Sequence, residues 1–166
     1  MNDIIQLSRL DEGAAVSQWE TVELHALAER VLAQLRQAAE EKQVALRLEG
    51  GEALARGVPQ ILEEILYNLC DNAVAYNRPG GSVTVTVEEG EQGARVTVAD
   101  TGIGIPPEAR ERVFERFYRL DKSHSGTGTG LGLSIVKHGA AYLGARLHLE
   151  SQVGVGSTFT VEFPKV

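Results

Sequence analysis

The stretch SVTVTVEEGEQGARVTVAD, residues 82–100, limits the possible folds more than any other part of the chain. Valines fall on one face of 82–89, and Val96 and Val98 fall on one face of 94–100, the period-two pattern of strands. Only Gly90-Glu91-Gln92-Gly93 joins the two runs, which implies an antiparallel hairpin. The chain closes in the same way, with ARLHLES and STFTVEF reading as alternating strands.

Helical patterns fill the remainder. Residues 21–43 carry Leu24, Leu27, Ala28, Val31, Leu32 and Leu35 on one stripe. VALRLE (44–49) alternates as a strand does and stops at Gly50-Gly51. Pro59 occupies a helix-start position ahead of Ile61, Leu62, Ile65, Leu66, Leu69, Cys70, Ala73 and Val74, and Arg78-Pro79-Gly80-Gly81 closes that helix. Pro106-Pro107-Glu108 opens a further helix with Val113, Phe114 and Phe117. A polar, glycine-rich stretch follows at 121–129, and a last helix starts near Gly130 with Leu131, Leu133, Ile135 and Val136. The order αβαββααββ, with its hairpins, predicts a two-layer α/β sandwich rather than a doubly wound parallel sheet. Ile4, Ile5, Leu7 and Leu10 have helical spacing that stops at Gly13, as in the tail of a helix that begins outside the chain.

A length of 166 residues suits one domain with a substantial core. The formal net charge of −7 argues against nonspecific binding to nucleic acid or anionic membrane, while leaving room for a local anion site. No apolar run reaches the length of a membrane span, and no signal-peptide pattern opens the chain. The lone Cys70 lies within an apolar helical stripe and reads as a small buried hydrophobe, in keeping with a reducing compartment.

Three features carry chemistry. In ARVTVAD, Asp100 continues the inward parity of Val96 and Val98. A carboxylate there is either paired structurally or set to accept hydrogen bonds from a ligand. Gly102 and Gly104 follow in T-G-I-G-I-P and permit close approach to the backbone, though D-x-G-x-G alone reads equally as a turn. The cluster GTGTGLGLS, 126–134, leads directly into a helix and leaves backbone N–H groups for phosphate oxygens. It is neither a P-loop nor a dinucleotide fingerprint. Finally, Glu64, Asn68, Asn72 and Tyr76 form one i,i+4 ridge beside the apolar stripe. Amides on that ridge either bond neighbouring backbone and water or line a pocket. Facing a pocket, asparagine oxygen suits Mg²⁺, and the tyrosine ring suits a purine.

Four stretches in order, LYNLCDNAVAYN, DTGIGIP, RVFERFYRLD and GTGLGLSIVKH, together with the ending GVGSTFTVEFP, resemble the ATP-binding catalytic domain of bacterial two-component sensor histidine kinases. The resemblance covers residues 20–164. It implies a Bergerat fold, a mixed and mainly antiparallel sheet covered on one face by helices, with a mobile ATP lid over about 105–127. It divides the chain into 1–13, the end of a dimerisation and phosphoacceptor helix, and 14–166, the ATP-binding domain. By position, Asp100 accepts the adenine amino group, Tyr76 contacts the base, and Asn72 ligates the Mg²⁺ that bridges the phosphates, with Asn68 beside it. Gly102, Gly104 and Ile105 border the nucleotide. Lys122, Thr127, Gly128, Thr129, Gly130, Leu131 and Gly132 complete the ATP site, and Arg119 stabilises charge on the γ-phosphate. Arg119 and Asn68 are thus the catalytic candidates, ATP and Mg²⁺ the cofactors.

Two positions depart from the family pattern. Ala75 stands where a Lys or Arg often reaches the phosphates, so the resemblance implies either weaker ATP binding or another cation, such as Lys122 or His124, in that part. Val58 replaces the usual acidic residue before the asparagine-box helix. None of His25, His124, His138 or His148 has the context of a phosphoacceptor, so the acceptor lies on absent helices. The resemblance further implies a response regulator downstream, a homodimeric and membrane-anchored intact protein with this domain in the cytoplasm, and a monomeric fragment. A gyrase-like ATPase and a non-catalytic nucleotide-responsive interaction domain are the alternatives. Hydrolysing relatives place a glutamate, the base for water, where this chain has Asn68, which takes no proton.

Overall fold

A computed structural model describes residues 19–115 and 132–166. The expected terminal helix at 1–13 lies outside these residues, as does the stretch holding Phe117, Arg119, Lys122, His124 and the glycine box from Thr127 to Leu131.

The elements run in chain order as β1 (Glu20–Glu23), α1 (Leu24–Lys42), β2 (Ala45–Gly50), β3 (Leu54–Gly57), α2 (Pro59–Ala75), β4 (Ser82–Gly90), β5 (Gly93–Asp100), two 3-10 turns (Pro107–Ala109 and Arg112–Phe114), α3 (Gly132–Leu143), β6 (Arg146–Gln152) and β7 (Gly156–Glu162). Five strands make the main sheet in the order β2-β4-β5-β7-β6. β2 runs parallel to β4, and the other pairs are antiparallel, including the expected β4–β5 and β6–β7 hairpins. Strand parity then decides the core. Val83, Val85, Val87, Val96, Val98, Phe159 and Val161 all face the helices with at most 1% exposure, each removal from water stabilising by roughly 2 kcal/mol. The stripes of α1, α2 and α3 cover them, so one face of the sheet is roofed by helices as the two-layer reading requires.

The structure corrects the chain reading in three places. The helix expected from 21 begins at Leu24, because the Glu23 carboxylate caps it by accepting from His25 N (2.7 Å) and Ala26 N (3.1 Å). Residues 20–23 instead pair antiparallel with 54–57 as a two-stranded ribbon that the sequence reading did not contain. The segment after Pro106, expected as a helix, forms two 3-10 turns. Val58 explains its own departure from the family pattern. It is the N-cap of α2 without a side-chain hydrogen bond, but it is 2% exposed, so the position serves the core rather than the cap. Cys70 is buried as expected, and its thiol is pushed up to about 12, first by burial and then by Asp71.

Candidate nucleotide site

The ridge is present: Glu64, Asn68 and Asn72 lie on α2, Tyr76 is its C-cap, and all four are half-buried beside a buried stripe. The two asparagines differ. Asn68 Nδ2 donates to the Glu64 carbonyl at 2.7 Å, which fixes the amide and leaves Oδ1 as its outward atom. A Cβ on Gly132, at the start of α3, would stand 3.1 Å from that Oδ1, so the second glycine box and the asparagine box meet here. The Asn72 side chain has no hydrogen-bond partner among the described residues, and its amide oxygen remains available to a ligand or cation. No group of three or more His, Cys, Asp or Glu that could hold a metal occurs among the described residues. The residues present fit Mg²⁺ as a hard cation that prefers oxygen ligands and keeps several waters: the Asn72 amide oxygen would supply one ligand, with nucleotide phosphates and water supplying others.

Asp100 ends β5 on the inner face, in register with Val83 on β4 and Ser157 on β7. Its Oδ1 accepts from Gly102 N (2.8 Å) and Ser157 N (3.2 Å). Both fixing donors fall on Oδ1, and Oδ2 has no partner among the described residues. Burial pushes the carboxyl up from its ordinary value, and the two backbone donors pull back only part of that shift. Such an arrangement presents one oriented acceptor, at low dielectric, to whatever lies against the strand end.

The glycines of the first box have partners inside the protein. A Cβ on Gly102 would fall 2.4 Å from the Tyr76 carbonyl oxygen, and one on Gly104, where φ is +77°, would fall 2.2 Å from the Gln152 carbonyl oxygen. They let the turn after β5 wedge between the end of α2 and the β6–β7 hairpin. Ile103 N donates to the Tyr76 carbonyl (3.1 Å), and Gly154 N donates to the Ile103 carbonyl (2.9 Å). Ile105, expected to border the nucleotide, has its side chain in the core at 3% exposure, while its N–H donates to Ser151 Oγ (2.7 Å). Of the expected lid, the described portion at 105–115 is packed down. Ala109 and Val113 are buried, Phe114 meets Phe159 edge-on at 6.1 Å, and the Phe114 carbonyl accepts from Ser134 Oγ at 2.9 Å. Ala75 supplies only a carbonyl, which accepts from the Lys42 ammonium of α1.

Sequence reasoning missed three residues. Asn77 is 5% exposed; its Nδ2 donates to the Ser82 carbonyl (2.9 Å), and its Oδ1 accepts from Arg78 N (2.9 Å) and Thr101 Oγ1 (3.3 Å). Arg78 ties two loops, and Ser157 helps to orient Asp100. The parity argument that found Asp100 also finds Ser157, two residues before the inward Phe159. Two other grooves among the described residues lie away from this site: one of about 630 Å³ between α1 and β2, and one of about 540 Å³ on the open sheet face, where Arg95 and His148 each meet the Glu162 carboxylate.

A model of the family described as "Histidine kinase-, DNA gyrase B-, and HSP90-like ATPase" matches residues 57–166. The sensor histidine kinase RppB of Synechocystis sp. is 37% identical over 168 residues, covering 99% of this chain and 37% of that protein. Among solved structures, the mycobacterial sensor histidine kinase MprB has a TM-score of 0.77 at 29% identity, covering 87% of this chain and 96% of that one. Full-length ShkA, in complex with AMPPNP, has a TM-score of 0.84 at 31% identity, covering 99% of this chain and 35% of that one. The chain spans between 26% and 44% of the length of the first curated relatives it matches.

Proposed function

The chain belongs to the histidine kinase-, DNA gyrase B- and HSP90-like ATPase family, and from that premise we propose that it binds Mg²⁺-ATP and donates the γ-phosphate to a histidine of a dimerisation domain in a two-component kinase. The observation that carries this reading is Asp100, a partly buried carboxylate oriented by two backbone donors on one oxygen, with the other oxygen unpartnered among the described residues. Its turn is joined to the Asn68–Asn72–Tyr76 ridge through the Tyr76 carbonyl. A base amino group at Asp100 would leave the phosphates to Asn72 and the start of α3.

In this reading, Asp100 accepts the adenine amino hydrogen and Tyr76 borders the base. Asn72 supplies an oxygen to Mg²⁺, which on binding neutralises phosphate charge. Asn68 accepts no proton from water, which favours transfer over hydrolysis. In the transfer, a histidine nitrogen forms a bond to the γ-phosphorus as the bond to the β,γ-bridging oxygen breaks, and ADP leaves. Arg119, Lys122 and the backbone from Thr127 to Gly132 are assigned by position in the family's motifs to the phosphates, and their charges and N–H donors suit that task. The intact protein is proposed as a membrane-anchored homodimer with this domain in the cytoplasm, acting on a response regulator. Among the described residues no helix is long and apolar enough to cross a membrane.

The test joins the chain to a dimerisation domain that carries a phosphoacceptor histidine and supplies γ-labelled ATP. Label on histidine, stable to base and labile to acid, is the expected result. ATP bound with no phosphohistidine, or rapid release of inorganic phosphate instead, contradicts the kinase reading.

A further inference from the structure

We propose that Arg78 is a positioning residue for base selection, holding the turn that aims Asp100 and so setting the preference for a 6-amino over a 6-oxo purine. The proposal rests on the ATP reading above. Arg78 belongs to none of the expected site residues and stands just past the end of α2. Its Nη2 donates to two carbonyls on two different loops, Gly102 at 2.7 Å and Gly154 at 2.9 Å. These loops are the turn after β5 and the β6–β7 hairpin.

Gly102 is the link to the chemistry. Its N–H donates to Asp100 Oδ1 at 2.8 Å, while its carbonyl accepts from Arg78. Both sides of one buried glycine are thus committed, one to the carboxylate and one to the guanidinium. The surrounding contacts close a ring: Ile103 N to the Tyr76 carbonyl, Gly154 N to the Ile103 carbonyl, and Arg78 back to Gly154 and Gly102. Arg78 is itself set by its own N–H, which donates to the buried Asn77 Oδ1. A planar fork with several donors on fixed bearings can serve two carbonyls at once; an ammonium serves such a pair less well.

Without the guanidinium, the Gly102 carbonyl loses its partner, and a glycine backbone is the one most able to rotate away. Asp100 then keeps Ser157 N but loses the donor that fixes the carboxylate plane. Phosphate contacts at Asn72 and α3 are untouched by this change. The effect therefore falls on which base is accepted, not on whether a triphosphate is held.

The experiment titrates the full chain with ATP and with GTP by calorimetry, for wild type, Arg78→Ala, Arg78→Lys, Asp100→Asn and the Arg78→Ala/Asp100→Asn double variant. Amide hydrogen exchange on the ligand-free wild type and Arg78→Ala provides a second readout. Arg78→Ala should lower the ATP-to-GTP affinity ratio by about tenfold, the scale of one lost charge-assisted hydrogen bond, with a smaller change for GTP. Arg78→Lys should recover part of the ratio, and the double variant should lose less than the sum of its parts. The amides of Gly102, Ile103 and Gly154 should lose protection in Arg78→Ala. An unchanged ATP-to-GTP ratio, with only a lower melting temperature, overturns the proposal and leaves Arg78 a structural tether. Wild-type protein that binds neither nucleotide overturns the ATP reading itself and this proposal with it.

Discussion

Replacing Asp100 by asparagine separates the binding role of this residue from its structural one. In the wild type, Oδ1 accepts from Gly102 N and Ser157 N, and both donors would find the amide oxygen in the same place. The amide nitrogen would then occupy the position of Oδ2. No buried donor is orphaned, and the carboxylate charge, disfavoured by burial, is removed. Two charge-assisted bonds become neutral ones, so the two changes oppose each other and the net stability at neutral pH should stay within about 1 kcal/mol of wild type.

Binding should respond differently. The acceptor for the adenine amino group becomes a donor that faces a donor, a loss of about 3 kcal/mol or a Kd roughly a hundredfold higher. The pH dependence gives a second check. With its folded-state value raised, the Asp100 carboxyl favours the folded state at pH below its unfolded value, and that stability is lost as pH rises through the raised value. Asp100→Asn should therefore gain on wild type in that window and run parallel to it above. ATP affinity of the wild type should move the opposite way, falling as acid protonates Asp100. Chemical unfolding from pH 3 to 8, together with calorimetric ATP titration, measures both arms. An asparagine variant that binds ATP within threefold of wild type refutes the base-reading role, and one that fails to fold refutes the neutral-swap argument.

Gly104→Ala places a Cβ at φ +77° and 2.2 Å from the Gln152 carbonyl oxygen, so it should cost about 3 kcal/mol in urea unfolding as the β6–β7 hairpin is pushed off the turn. Gln43→Gly relieves the left-handed C-cap of α1, where φ is +63°, and should stabilise by about 1 kcal/mol in the same assay. Asn72→Ala should leave metal-free ATP binding close to wild type while removing most of the gain that Mg²⁺ gives, read by titration with magnesium and with chelator. Equal loss in both conditions would move Asn72 from the metal to the nucleotide.

Where periodicity was long, the fold was legible. The stripes of α1 and α2 and the alternation of β4, β5, β6 and β7 each span seven or more residues, long enough for their period to stand out. The β1–β3 ribbon was not legible, because ETVE and LARG are four residues each and carry too few alternations to declare a strand. Residues 21–23 also fit the helical pattern of 21–43, and the helix start at Leu24 is fixed by a glutamate acting as cap, an uncommon choice for that position. After Pro106, the buried Ala109 and Val113 mimic helical spacing, yet their backbone is two separate 3-10 turns. At the site, parity found Asp100, and helical spacing found the asparagine ridge. Asn77 and Arg78 escaped because much of their work is long-range: besides Ser82 nearby, they bond Thr101, Gly102 and Gly154, partners that no local pattern announces.

Isothermal titration of the chain with ATP, in Mg²⁺ and in chelator, tests the central claim most directly. The account predicts saturable binding at micromolar to low millimolar nucleotide, tighter with Mg²⁺ and lost in Asp100→Asn. Absence of heat at millimolar ATP in both buffers, from protein that unfolds cooperatively, would contradict it.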